Sequence, residues 1–283
     1  MTVKRSEQIW LVTGASSGLG RDIAQAVLEK GGRVVATARN PGDLDGIVAQ
    51  SGGNAIALPL DVTVPEQISA AIEAAEDHFG SIDVLVNNAG YGYLHSVEEA
   101  DEQAVRRMFE VNFFGLANTT RAVLPGMRAR RRGWIVNISS MVGRVAMPCS
   151  GYYSASKFAV EGLSMSLRAE VEPLGIGVTS IQPGPIRTDF SGRSLVTGES
   201  WADDYDATVG VGIRFSRDMN GQQSGDPVLC ARAIVDAVDA PNPPRQLVLG
   251  QMSNDMISEE IEKERAELVQ WREAGLPTDF REG

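Results

Sequence analysis

Ile9-Trp10-Leu11-Val12-Thr13-Gly14-Ala15-Ser16-Ser17-Gly18-Leu19-Gly20 decides how the chain folds. An apolar run makes a strand, a glycine- and serine-rich turn follows, and an amphipathic stretch from Gly20 to Lys30 begins without a break. The glycines of such a turn serve three ends: a tight bend, close approach of a pyrophosphate to the backbone, and close packing of helix on sheet. The helix N-terminus then faces the phosphates. Gly14, Ser16, Ser17, Gly18, Leu19 and Gly20 are therefore candidate dinucleotide-binding residues.

Outward from this unit, short β-branched runs recur at Arg33 to Ala38, Ala55 to Leu60, Val84 to Asn87, Trp134 to Ile138, Val178 to Gln182 and Gln246 to Leu249. Helix-like stretches such as Pro65 to Phe79 and Asp101 to Arg130 lie between them. Strands that read as continuous apolar runs are buried on both faces, which predicts an α/β fold. The expectation is a single Rossmann-type doubly wound sheet of seven mainly parallel strands flanked by helices, with a C-terminal helical extension. No repeat or linker divides the chain, so residues 1–283 are expected to form one domain. Within it, 190–225 reads as an irregular substrate lid and 252–283 as the extension, with a charged helix over Ser258 to Glu273.

Composition narrows the function classes. A chain of 283 residues with 43% hydrophobic content can bury one large core. A formal charge of -11 repels phosphate over most of the surface, so neither nucleic acid nor an anionic membrane is an expected partner. Arg128, Arg130, Arg131 and Arg132 are the local exception, read as closing a helix. Cys149 and Cys230 are too few for a disulfide framework, and with only His78 and His95 beside them no metal site is expected. Met1 to Gln8 is polar and no apolar run reaches the roughly 18 residues of a membrane helix, so a cytoplasmic protein is expected.

The remaining motifs sit at strand ends. The second strand closes on Thr37-Ala38-Arg39 with no carboxylate to hold both ribose hydroxyls of NAD. Arg39 near a 2′-phosphate is worth on the order of 1–4 kcal/mol, about tenfold to a few hundredfold towards NADP. Packing on the adenine or facing solvent is the plainer use of that side chain. Asp61 and Val62 end the third strand, where a carboxylate can accept from an adenine amino group, and Asn88-Ala89-Gly90 end the fourth, where small residues admit a ribose. Asn137-Ile138-Ser139-Ser140 closes the fifth, and Tyr153 and Lys157 open the next helix with i, i+4 spacing, so phenol and ammonium share one face.

These residues resemble the short-chain dehydrogenase/reductase family, in its core-type branch that prefers NADP. The likeness spans residues 8 to 190 and rests on TGASSGLG, NNAG, NFFG, the SS pair, YSASK and PGPIRT together. It implies a catalytic tetrad of Asn112, Ser140, Tyr153 and Lys157, with Asn112 holding a water towards Lys157. Only Tyr153, not its neighbour Tyr152, has lysine four residues on. A free tyrosine titrates near pH 10, so Lys157 and the oxidised nicotinamide together are expected to depress Tyr153, and Ser140 to donate to the substrate oxygen. Pro183, Gly184, Ile186 and Thr188 form a turn that the resemblance sets against the nicotinamide.

The implied activity is NADP(H)-dependent interconversion of a ketone or aldehyde with an alcohol. Tyr91, Tyr93, Val142, Met147, Pro148, Phe190, Leu195 and Trp201 are candidates for a largely apolar substrate pocket. The small-molecule carbonyl or alcohol is the expected partner, alongside self-association into a homodimer or homotetramer through the long helices. Two rival readings stand beside this one. A 3-oxoacyl-acyl-carrier-protein reductase needs a basic docking patch, for which Arg130, Arg131 and Arg132 are candidates, and a non-catalytic NADP-binding sensor needs no tetrad.

Overall fold

The computed structural model describes residues 8–280; Met1 to Glu7 and the last three residues of the extension lie outside the described residues. In chain order the elements are β1 (Ile9–Val12), α1 (Gly18–Glu29), β2 (Arg33–Ala38), α2 (Asp45–Gln50), β3 (Ala55–Pro59), α3 (Pro65–Phe79), β4 (Val84–Asn87) and β5 (Gly92–Leu94). Then come α4 (Glu102–Phe109), a π-turn (Glu110–Gly115), α5 (Leu116–Arg130), β6 (Gly133–Ile138), α6 (Gly151–Val171), β7 (Ile176–Pro183), α7 (Phe190–Arg193) and β8 (Leu195–Thr197). The C-terminal part holds α8 (Val211–Asp218), α9 (Pro227–Val238), β9 (Gln246–Leu249), α10 (Gln251–Gln270) and α11 (Arg272–Gly275).

Seven strands form one sheet in the order β3-β2-β1-β4-β6-β7-β9. Every pairing in it is parallel, so "mainly parallel" becomes wholly parallel among the described residues. Alternation along β1 shows how both faces are filled. Trp10 and Val12 pack with Ile23, Val27, Ile234 and Val235 of α1 and α9, while Ile9 and Leu11 pack with Ile68, Ile72, Val123 and Met127 of α3 and α5. The chain order reverses at β1, which opens a crevice beyond the carboxyl ends of β1 and β4.

The arginine group closes α5 as read from the sequence, and more besides. Arg130 Nη2 donates to Ile82 O at 2.8 Å, Arg131 Nη2 to Pro173 O at 2.7 Å and Arg132 Nη2 to Asp83 Oδ1 at 2.9 Å. Ile82 and Asp83 precede β4 and Pro173 precedes β7, so these cations bind the amino ends of the strands.

Two expectations about segments are corrected. The stretch 190–225 is not irregular: it holds α7, β8 and α8, and β8 pairs in parallel with β5. The helix expected over Ser258 to Glu273 starts earlier, at Gln251, directly after β9. Among the described residues, no helix is long and apolar enough to cross a membrane, and no cluster of metal-ligating side chains occurs.

Candidate active site

A cavity of about 1770 Å³ runs along the carboxyl ends of the strands. Gly14, Ser16, Ser17, Gly18 and Leu19 line one end of it, with Arg39, Asp61, Val62, Asn88, Ala89, Gly90, Pro183, Gly184, Ile186 and Thr188. Gly20 does not reach the cavity. It is buried under Asn88, where an added Cβ would lie 2.3 Å from Asn88 Nδ2. Gly14 adopts φ +65, and a Cβ there would meet Ala89 Cα at 3.0 Å.

Local bonds shape this end. Asn88 Nδ2 donates to Thr13 O at 2.9 Å and Gly14 O at 3.0 Å, and Thr13 Oγ1 accepts from Asn88 N and Ala89 N. Thr13, which the sequence reading did not single out, thus ties the phosphate turn to the end of β4. Helix α1 has no side-chain cap at Ser17 and no acid in its first turn, so its amide groups are left for an anion. That uncapped terminus beside a glycine cradle fits a dinucleotide pyrophosphate. Asp61 Oδ1 accepts from Thr63 N and Oγ1, and Asp43 lines the rim near Arg39.

At the other end Ser140, Tyr153 and Lys157 come together on the wall. Ser140 takes an extended backbone after β6, and its Oγ accepts from Val142 N at 3.3 Å. Its hydroxyl also hydrogen-bonds Tyr153. Tyr152 turns elsewhere and donates to Val97 O at 3.3 Å. Lys157 is buried, lies 6.0 Å from the centre of the Tyr153 ring, and donates to Ile138 O at 2.9 Å.

The depression expected of Tyr153 does not come from the protein by itself. Burial pushes the Tyr153 phenol up to about 12, opposed only in part by the Ser140 hydrogen bond, so the protein alone does not depress it. Burial also pulls the Lys157 ammonium down to about 8, and Glu161 works against that fall. A cation that is itself desolvated and turned towards a main-chain carbonyl does not outweigh the desolvation of the phenol.

Asn112 sits in the π-turn between α4 and α5 rather than in regular helix. It does not reach the cavity wall. Its Oδ1 accepts from Tyr91 N at 3.0 Å, and its Nδ2 donates to Tyr91 O at 2.8 Å and Ser156 Oγ at 3.3 Å. The side chain is therefore spent on protein partners beside Lys157.

Of the pocket candidates, Tyr91, Val142, Met147, Pro148, Phe190 and Leu195 line the cavity. Tyr93 and Trp201 do not. Tyr93 points into the fold, its hydroxyl accepting from Asp101 N at 3.0 Å, and Trp201 donates to Asp206 Oδ1 while Arg214 stacks 5.9 Å from its ring. The wall has lining residues that the sequence reading missed, notably Val211, Phe215 and Met219 of the α8 region and Met252 and Met256 of α10. Their spacing of four was the available signal.

Fold and site together define a nicotinamide-dependent oxidoreductase acting on the CH–OH group of its donors. The sequence profile described as short chain dehydrogenase matches residues 8–196, and the chain belongs to that family. Oxidoreductase BOA17 of Botryotinia fuckeliana is 35% identical over 95% of this chain and 98% of its own. The 3-ketodihydrosphingosine reductase of Bacteroides thetaiotaomicron is 40% identical over 87% of this chain and 88% of its own. Among solved structures, a short-chain dehydrogenase from Streptomyces avermitilis superposes with a TM-score of 0.91 at 40% identity, covering 96% of this chain and 99% of that one. One from Burkholderia cenocepacia in complex with NADP gives 0.72 at 28% identity, covering 93% and 96%.

Proposed function

We propose that the chain is an NADP(H)-dependent oxidoreductase that interconverts a hydrophobic ketone or aldehyde with its alcohol, using Tyr153 as general acid and base. The observation that carries this reading is the hydrogen-bonded Ser140–Tyr153 pair on the cavity wall with Lys157 behind the ring. Held along Gly14 to Leu19 and the turn from Pro183 to Thr188, NADPH would supply the hydride that reduces the carbonyl carbon. Ser140 donates to the substrate oxygen, and Tyr153 passes its proton to that oxygen as charge develops there. A phenol near 12 holds its proton at neutral pH, which suits the direction of reduction. Lys157 steadies the phenolate left behind, and Asn112 fixes Tyr91 and Ser156 beside it.

Arg39 at the cavity rim, with no acid ending β2, favours NADP over NAD. The glycine cradle, Asp61, Val62, Asn88 to Gly90 and the Pro183 to Thr188 turn are assigned to that cofactor. The apolar wall of Val142, Met147, Phe190, Phe215 and Met256 favours a hydrophobic substrate, and a ketone of the kind named for the Bacteroides relative suits it. Residues 190–225 serve as the lid of one domain, with 252–283 as its extension. Exposed Phe158 and Met165 on α6 and Phe114 in the π-turn support pairing of the long helices in a homo-oligomer. Two unpaired cysteines and a nicotinamide cofactor suit the reducing cytoplasm.

The test is a panel of ketones and aldehydes monitored by NADPH absorbance. Tyr153→Phe is expected to lower turnover of any accepted substrate by about 10²- to 10⁴-fold while NADPH binding survives, and Lys157→Met to impair both. An active Tyr153→Phe enzyme overturns the mechanism. The carrier-protein reading loses its docking patch, because Arg130 to Arg132 bind the amino ends of the strands, away from the cavity.

A further inference from the structure

Behind Lys157, on the side away from the cavity, the same helix carries a carboxylate that the proposed reaction leaves unused. Glu161 is 4% exposed and lies one helical turn beyond Lys157. Its Oε2 accepts from Ser180 Oγ of β7 at 2.9 Å and from Gln246 Nε2 of β9 at 3.1 Å. Its Oε1 is buried with no hydrogen-bond partner. The Gln246 amide is held in turn by Arg144 Nη1 at 3.1 Å. A buried carboxylate with one unsatisfied oxygen is costly, and such groups are held in a fold by a charge partner. On a helix, residues four apart share a face, and the cation on that face is Lys157.

We propose that Glu161 is a positioning residue for the reaction: its buried carboxylate is the counter-charge that keeps the Lys157 ammonium charged and aimed under Tyr153. The inference rests on the roles proposed for Tyr153 and Lys157. Burial alone drives Lys157 towards the neutral amine, and the Glu161 charge opposes it. The other charged or titratable groups on the elements packed around the pair are few. Tyr91 before β5, Arg107 of α4 and Glu110 of the π-turn line the cavity in front, and Arg144 lies behind Gln246. Strands β7 and β9 offer only Ser180, Gln182 and Gln246. None of these supplies a second buried anion next to Lys157. Ser180 and Gln246 fix the carboxylate in place and the interior keeps its field from being screened by water.

The experiment is the pH profile of kcat/KM for carbonyl reduction by wild type and by Glu161→Gln, Glu161→Met and Glu161→Ala, which remove the charge in three shapes, with Glu161→Asp as the conservative partner. Loss of activity at high pH marks loss of the Lys157 proton. In the neutral variants that limb is expected to move down by about one pH unit, so that the wild-type advantage grows roughly fivefold between pH 6 and pH 8 and approaches about tenfold above pH 9. Glu161→Asp restores the limb. A purely structural role gives a ratio independent of pH, and that result overturns the inference, as does loss of the wild-type thermal transition in all three neutral variants. Tyr153→Phe is run beside them. If it stays active the underlying reading fails, whereas a dead Tyr153→Phe with superposed Glu161 profiles removes this inference alone.

Discussion

Lys157 and Tyr153 depart from their ordinary values in opposite directions, and the pH dependence of stability follows from both. Lys157 titrates at about 8 in the fold against 10.5 when free, so between those values the unfolded chain holds a proton the folded one lacks, and stability rises with pH. Tyr153 titrates at about 12 against 10.0, so its contribution is whole below pH 10 and is lost as pH climbs through 12. The urea midpoint is thus expected to increase from pH 8 to 10, and Lys157→Met to flatten that increase. A midpoint that climbs equally in the variant contradicts the assignment. Arg39 yields a second expectation: Arg39→Ala weakens NADPH about tenfold to a few hundredfold and leaves NADH nearly unchanged, as fluorescence titration will read. At this scale the site was legible in part, because Tyr153 and Lys157 lie one helical turn apart, whereas Ser140, thirteen residues before Tyr153 and outside α6, was legible only through the family resemblance. The titration of the phenol was not, since desolvation depends on everything packed around it. Tyr93 and Trp201 were misplaced for a related reason: aromatic character says nothing of which way a side chain points.

Helices and strands separate by how local their signals are. The sheet strands read directly from sequence, because parallel strands buried on both faces leave long apolar runs. Helix α8 did not, although Val211, Phe215 and Met219 recur every four residues, because Gly210, Gly212 and Gly221 interleave them and suggest loop. The π-turn at Glu110–Gly115 has no sequence signature of its own. It puts Asn112 against Tyr91 inside an otherwise unbroken helix. Packing of α1 on β4 gives a sharp test. Gly20→Ala places a methyl 2.3 Å from Asn88 Nδ2 and 2.6 Å from Gly14 O, so we expect a loss of about 1–3 kcal/mol in denaturant unfolding and weaker cofactor binding.

The molecule as a whole is densely tied around the sheet and loosely tied at its end. From Ile261 to Phe280 every residue is exposed, with Leu268 at 74% and Trp271 at 61%. Deleting residues 261–283 is therefore expected to move the thermal transition by less than about 2 °C, with light scattering on both forms reading the assembly state. The small β5–β8 ribbon acts in the contrary sense. Gly92–Leu94 follow the loop that floors the cavity, Leu195–Thr197 belong to the segment that roofs it, and their hydrogen-bonded ladder joins floor to roof. Leu195 Cδ1 sits so close to Gly92 that a Cβ there would lie at 2.5 Å. The two loops are therefore one heritable unit: a chimaera that borrows 190–225 from a relative to change selectivity must borrow 90–95 with it, or the graft arrives without its hinge.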